Sequence, residues 1–496
     1  PSYVDVNRIK KDGYDIDVND SDTLAFTQKG SDMNLIVTMY FTNDGNPQNL
    51  RAAFKSIFAP QFRVQRMKKA IVLTSCLVAY SLNAQSIGNS PYAAYGIGDV
   101  KYDNSVDISS MGGISAAYIN DFNGKFNFDN PATNQNYGLT SLSIEGTNEN
   151  NYFSSNYGDM NTKKHSTYLS NIAFAFPITK KLKFGLGYQP YSSKGYTIVH
   201  REGASTSHYK LNKFSGSGTV SLVQGAVSYT INPNFSLGFK ANYHFGKLTD
   251  LEEISYSDAV LINGYSTTNT IKSFNFTTGA VYQKKLKNDR KLTFGATYTF
   301  GSTGKSSVDY TNSTYYYLSS NEKMNETILD QKTSTGNNYL PQRATFGVGY
   351  GNDAKWFAST QFDYKSGNDV QFMGKPFHYE DSYKISAGGW YLPNYNNFRN
   401  YFSRVIYRFG AYYERGGLKL NPSNQGSGNF INEFAVTAGA SFPFADANIN
   451  KRSSLDIGIE LGKRGTTQNN LINQTFINLK IGLNFSDLWF RKVEFD

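Results

Sequence analysis

The chain of 496 residues has one cysteine, Cys76, and five histidines, at positions 165, 200, 208, 244 and 378. A single thiol cannot build a disulfide framework, and the histidines show neither an i, i+4 pair nor a metal-helix motif, which excludes thiolate and histidine metal centres. No G-x-S-x-G elbow occurs and no Ser/His/Asp set stands out, so neither an enzyme nor a cofactor is expected. Gly301-Ser-Thr-Gly304-Lys305-Ser306 comes near a phosphate loop, but position 299 is Thr and a polar stretch follows where a helix is required, so it is expected to be an external hairpin loop. Charged residues are scarce at 18%. The one apolar run of note covers eleven residues, Ala70 to Tyr80, short of the roughly 20 that a membrane-spanning helix needs. A helical membrane protein is thereby excluded.

What the chain has in quantity is Tyr (37), Phe (36) and Gly (44), a strand- and turn-forming composition. Its mean hydropathy of −0.48 is compatible with a membrane barrel, whose strands offer lipid only every second side chain. The formal charge is +10. Residues 1–66 carry eight Lys/Arg and eight Asp, which cancel, so the excess belongs to 67–496. These cations are dispersed along strands and loops with no basic helix or arm. Outer-membrane lipid head groups are therefore the expected partner, and nucleic acid is not.

From Met67 the chain reads as an export signal: Lys68 and Lys69, the apolar run, then Ser81-Leu82-Asn83-Ala84 before Gln85. Leu73-Thr74-Ser75-Cys76 also fits a lipidation site, although only six apolar residues precede it. Such signals act at a chain start, so 1–66 is expected to be an upstream segment outside the mature protein, 67–84 the signal peptide, 85–138 a plug and 139–496 a barrel.

The barrel expectation rests on alternation. Leu455, Ile457, Ile459 and Leu461 alternate with Asp456, Gly458 and Glu460, and Ile477, Leu479, Ile481, Leu483 and Phe485 with Asn478, Lys480, Gly482 and Asn484. Side chains two apart share a strand face, so one face is oily and the other polar. Reading backward gives strands near 432–442, 404–414, 382–390, 355–365, 342–351, 291–301, 271–284, 234–246, 219–230, 182–190, 167–177 and 139–146. The total is fourteen, the even number a single-chain bacterial barrel requires. Connections after even-numbered strands are mostly short (178–181, 231–233, 285–290, 352–354) and those after odd-numbered strands long (191–218, 247–270, 302–341). This two-beat pattern belongs to outer-membrane barrels and not to soluble sandwiches. The connection at 391–403 breaks it. Lys240, Arg408, Asp456, Glu460 and Lys480 fall on the polar face and are expected to form an ion-pair network in the lumen.

A barrel of this size encloses a lumen that wall side chains alone do not fill. The stretch 85–138, rich in Gly, Asn and Asp, with a turn at Met111-Gly112-Gly113 and Asn130-Pro131-Ala132 before the first strand, is expected to fold inside it.

These residues, with Ser90-Pro91-Tyr92, Tyr95-Gly96-Ile97-Gly98-Asp99, Lys463-Arg464-Gly465-Thr466-Thr467, Asn470-Leu471-Ile472 and Trp489-Phe490, resemble the FadL family of long-chain fatty-acid and hydrophobic-compound transporters over 85–496. The resemblance implies a hatch containing Asn130, Pro131 and Ala132 inside a fourteen-stranded barrel, and lateral release of a lipophilic ligand through a kinked wall strand. Gln189-Pro190 is the candidate kink, because proline removes a ladder donor. Three functions follow: passive uptake of hydrophobic compounds, an accessory role beside an outer-membrane export or assembly complex, or a general porin. An apolar pocket near Tyr315–Leu318 would favour the first.

Overall fold

The computed structural model describes residues 88–488, except 102–104, 121–123, 157–159, 204–207, 320–321, 353–354, 373–374, 398, 422–426 and 445–451, together with three short strands within 14–38. Those three, Tyr14–Val18, Thr23–Gln28 and Asn34–Thr38, form an antiparallel sheet by themselves. The signal-like stretch 67–84 and Trp489-Phe490 lie outside the described residues.

Fourteen antiparallel strands close a barrel. They are β1 (Thr140–Ser155), β2 (Met160–Pro177), β3 (Leu182–Ser193), β4 (Lys210–Asn232), β5 (Phe235–Tyr256), β6 (Ile262–Lys285) and β7 (Arg290–Thr299). The second half comprises β8 (Arg343–Asn352), β9 (Trp356–Lys365), β10 (Ser382–Tyr391), β11 (Ile406–Leu420), β12 (Asn429–Pro443), β13 (Ser454–Gly465) and β14 (Ile472–Asp487). The last strand returns to the first, from Ile472↔Ser155 to Asp487↔Thr140, so the sheet has no open edge at closure.

The side-chain pattern is inverted relative to a soluble protein. On β5, Leu237 and Phe239 point outward and are each 43% exposed, while inward Ser236, Asn242 and His244 are buried. The outward residues Phe346, Phe362, Ile385, Phe409, Phe434, Ile457 and Ile481 continue an exposed oily belt around the wall. A sandwich would put that face in its core. An exposed apolar belt around a polar interior requires lipid outside. Among the described residues no helix is long and apolar enough to cross a membrane, so the strands do the crossing.

Several strands run well past their expected ends. The stretch 302–341, expected to be a loop, is a hairpin of Ser302–Ser319 with Glu322–Leu340, and its first arm pairs with the outer part of β6 from Ile262↔Tyr315 to Thr270↔Ser307. Residues 302–306 of the phosphate-loop look-alike accordingly lie on a strand, with no helix after them. These extensions alternate polar with polar because both faces meet water, so hydrophobic periodicity does not reveal them. The long connection 392–405 closes through a short 3-10 turn, Tyr401–Arg404, in which the Asn400 side chain accepts from Phe402 N at 3.1 Å. Asn394 N donates to Ser403 O at 2.8 Å, and Tyr401 Oη reaches Pro443 O at 2.8 Å. The turn satisfies its own backbone, which explains how a longer link is tolerated at the short-turn end.

Candidate functional site

The segment before β1 lies inside the lumen. Its backbone presses directly on the wall: a Cβ added at Gly279, Gly295, Gly388 or Gly410 would collide with Asn130, with Ala116 O or with the Met111 backbone. Inward glycines on β6, β7, β10 and β11 thus mark where chain runs against chain. Gly112 turns with φ +73°, which a side chain would strain, and its N–H donates to Thr437 Oγ1 on β12 at 2.9 Å. Gln361 on β9 accepts from both Ser115 N (2.8 Å) and Ala116 N (2.9 Å). Asn130 caps the 3-10 helix Pro131–Asn136: its Oδ1 accepts from Ala132 N at 3.2 Å, its Nδ2 donates to Ala116 O at 2.6 Å, and Pro131 occupies the first turn, where no donor is missed.

One ion cluster ties this segment to the wall. Lys125 Nζ meets Asp456 Oδ2 on β13 at 2.5 Å, Glu145 Oε1 on β1 at 2.9 Å and Asp107 Oδ1 at 3.7 Å. Glu145 also accepts from Val106 N at 3.1 Å, and Arg408 on β11 reaches Asp456 through Ser441. Burial opposes the charge of Lys125, but the carboxylates of Asp456, Glu145 and Asp107 outweigh it and hold the ammonium well above its ordinary range. Burial likewise raises Asp107, and Lys125 followed by Arg408 turn the net shift downward.

The structure distributes the five expected lumen charges over separate sites. Glu460 on β13 and Lys480 on the adjacent β14 pair at 3.1 Å. Asp456 and Arg408 belong to the Lys125 cluster, and Lys240 on β5 has hatch Asp129 as its favourable charge. Lys125 and Glu145, the pivot of the cluster, were not singled out in the sequence. Their only signal was charge in a Gly/Asn-rich segment and on a polar strand face. The motifs quoted from the two ends of the chain meet each other: Arg464 Nη1 lies 2.5 Å from Asp99 Oδ1, Ser90 Oγ donates to Gln474 Oε1 at 2.8 Å and Tyr92 Oη donates to Ile472 O. Burial raises the Tyr92 hydroxyl to about 12 against the opposing pull of Arg464, so it stays a donor at neutral pH.

The wall itself is uneven. β2 and β3 pair only from Ile172↔Tyr188 to Pro177↔Lys183, at the short-turn end. Beyond that point both strands bulge. On β2, Glu145 opposes Asn171 and Gly146 opposes Leu169, which leaves Ser170 extra. On β3, Pro190 opposes Ser221 and Ser192 opposes Val220, which leaves Tyr191 extra. Gln189-Pro190 therefore stands at the start of a seam, where proline lacks a donor and bulges bend the strands apart. The N-terminal segment covers part of the opening: Asp99–Val100 pairs with Ser193–Ser192, and Asn89 Nδ2 donates to His165 O at 2.9 Å.

Tyr168 and Tyr191, one from each side of the seam, line a cavity of ≈260 Å³. Its other walls mix apolar side chains, among them Ile97, Leu418, Ile431 and Phe476, with ion pairs. Lys101 pairs with Asp99 (3.0 Å) and Glu149 (2.7 Å), Lys365 with Glu414 (3.1 Å), and Tyr412 Oη lies 2.6 Å from Glu433 and 2.7 Å from Glu460. Tyr315–Leu318 are not part of it. Tyr315 and Tyr317 donate to Glu253 Oε1 at 2.7 and 2.5 Å, and Leu318 is exposed.

The sequence description of the BamG family matches residues 66–496. Among curated proteins, none matches the chain. Among solved structures, a Pseudomonas aeruginosa FadL homologue is similar with a TM-score of 0.52 at 11% identity, over 78% of this chain and 99% of that one. A TodX monoaromatic hydrocarbon channel variant is similar with a TM-score of 0.50 at 14% identity, over 80% and 99%. The shared feature is the fold, a fourteen-stranded barrel of the FadL type.

Proposed function

The chain belongs to the BamG family, and we propose that it is an outer-membrane barrel for passive uptake of hydrophobic compounds, closed along its axis by residues 85–138 and open sideways at the β2–β3 seam. The observation that carries this reading is the early end of the β2–β3 ladder at Ile172↔Tyr188, beside the cavity, with a bulge toward β1 at Ser170 and one toward β4 at Tyr191. Short turns face the periplasm in such barrels, so the seam opens toward the outer leaflet. In this reading 67–84 is the export signal, Met111-Gly112-Gly113 and Asn130-Pro131-Ala132 seat the hatch, and Gln189-Pro190 sets the kink. The solved barrels of this fold include channels whose names state monoaromatic hydrocarbons, which makes small lipophiles the first compounds to try.

The test is to zip the wall. Deleting Ser170 and Tyr191 and replacing Pro190→Val removes both bulges and supplies the missing donor. In vesicles, uptake of a labelled lipophile should fall at least about tenfold while the barrel keeps its heat-modifiable gel shift. Unchanged uptake would sink the lateral route.

A second reading is an accessory barrel beside an outer-membrane export or assembly complex. The ion pairs of the cavity favour it, because Asp99, Lys101, Glu149, Glu414 and Glu433 line part of its wall with charge rather than apolar surface. Cross-linking in cells that captures one stable outer-membrane protein, with uptake indifferent to the zipped wall, would select it.

A further inference from the structure

One side of the cavity joins an apolar surface to carboxylates that lack a full set of partners. On β11, Arg415 opposes Asn432 and Lys419 opposes Phe430, so Gly416, Gly417 and Leu418 face Ile431 alone. This bulge lies on the cavity, and Leu418 and Ile431 line it together with Phe476 of β14. Leu418 and Ile431 pack with Tyr92 of the hatch, and Phe476 packs with Tyr412 of β11. The apolar surface thus runs up to the Tyr412 hydroxyl. That hydroxyl lies 2.6 Å from Glu433 Oε1 and 2.7 Å from Glu460 Oε1. A phenol has one proton to donate, so it serves as donor to only one of the two. The other contact sets acceptor against acceptor until a further positive charge arrives.

Glu433 is the carboxylate left short. Glu460 has Lys480 at 3.1 Å and the Asn478 carboxamide at 3.2 Å, and Glu414 has Lys365 at 3.1 Å. Among the described residues the one cation in ion-pair range of Glu433 is Arg464. Its Nε stands off at 3.7 Å while its Nη1 meets Asp99 at 2.5 Å. Lys384 of β10 lies over the Tyr412 ring, 4.3 Å from its centre. A carboxylate guest would meet Glu414, Glu433 and Glu460 and find these cations already committed. A neutral hydrocarbon would cover Leu418, Ile431 and Phe476 and leave Glu433 as it was. An ammonium on a compact apolar body meets both demands, and ≈260 Å³ admits one aryl ring with a short arm.

We propose that this side of the cavity binds the ammonium group of a small apolar amine, with Glu433 as its counter-ion and Leu418, Ile431 and Phe476 against its body. The proposal rests on the uptake reading above and narrows its substrate class from small lipophiles in general to amines. It also gives the ion pairs of the remaining wall a place in recognition: they neutralise the other charges of the cavity and leave one carboxylate for the guest.

The experiment uses the whole barrel in a non-ionic detergent with benzylamine, ethylbenzene or benzoate, which share a ring and differ in the charge of a short arm. Benzylamine is protonated at neutral pH. Binding is read by equilibrium dialysis against protein-free detergent, and passage by uptake into vesicles in excess of protein-free vesicles. Benzylamine should bind at least about tenfold more tightly than the other two. Glu433→Gln, which keeps the shape and removes the charge, should lose that preference while still binding ethylbenzene, and Glu433→Asp should keep it. Heat-modifiability confirms that each variant is folded. Should Glu433→Gln not fold, the photo-adduct of 4-azidobenzylamine on the unaltered barrel is mapped instead; it should fall on β11, β12 or β14, and an adduct elsewhere overturns the site. Benzylamine bound no better than either other probe, or a preference indifferent to Glu433→Gln, also overturns it, and uptake still stands if ethylbenzene enters. Benzylamine bound through Glu433 with no probe entering overturns the uptake reading and leaves the site.

Discussion

Two strand junctions in the same wall behave in opposite ways. β4 and β5 pair from Phe235↔Asn232 to Tyr256↔Lys210, a ladder far longer than the membrane is thick. β2 and β3 pair only over Ile172–Pro177 and then part. Both junctions are built from alternating strands joined by a short turn, so alternation does not distinguish them. What differs is one proline and two surplus residues, Ser170 and Tyr191. In lipid an unpaired backbone group costs several kcal/mol, so a parted junction persists only where protein or a polar guest meets the freed groups. The hatch fills that role, through Asp99–Val100 and Asn89. A sealed junction is self-sufficient; an open one depends on the lumen contents.

The comparison can be broken at its strongest dependency first. Lys125→Met leaves Glu145 buried without its cation and Asp456 and Asp107 with Arg408 alone, at a cost of about 3–5 kcal/mol. The hatch should become cleavable by trypsin, and amide exchange should rise along β2 and β3 but not along β4 and β5. Equal exchange at both junctions would show that the seam does not lean on the hatch. Next, Gly388→Val drives a side chain into the Met111 backbone, and overpacking of this kind costs about 1–3 kcal/mol. A lowered unfolding midpoint with the seam again the first segment to exchange is expected. Asn130→Ala removes a cap and the bond to Ala116 O, for about 1 kcal/mol, visible as a small loss in hatch protection.

The smallest expected effect is that of pH. Asp99 is raised by burial, but Lys101 and Arg464 pull it below its ordinary value, and Asp107 is also lowered. Groups with depressed values stabilise fully above the unfolded carboxylate range near ~4 and lose that contribution as pH falls through their lower folded values. Lys125 and Lys101 are raised, so their stabilisation is complete below ~10.4 and is lost only as pH climbs through still higher folded values. Asp99, Asp107, Lys101 and Lys125 should therefore contribute no step to hatch protection, measured by proteolysis, between about pH 5 and 9. A step in that window abolished by Lys125→Met would overturn this assignment.

Much of this architecture was legible beforehand. Strand number, strand order and the inward or outward direction of residues such as Leu237 and Asp456 follow from a period of two, since lipid selects one face and the lumen the other. The outer extensions, including Ser302–Ser319 with Glu322–Leu340, escaped because polar residues alternating with polar residues leave no periodic trace. At the site, Gln189-Pro190 could be noticed because proline announces a missing donor. Ser170 could not, because a bulge is defined by its neighbours' register.

The sequence by itself determined that this is a barrel, because alternation is a local property, enforced residue by residue by the two environments of a strand. Only the tertiary structure decided which junction stays open and what holds the hatch. Lys125, Glu145 and Asp456 lie far apart along the chain, and an ion pair between distant residues depends on where closure of the wall brings them. The same holds for the seam: Tyr168 and Tyr191 come to line one cavity only because the β2–β3 ladder between them has stopped.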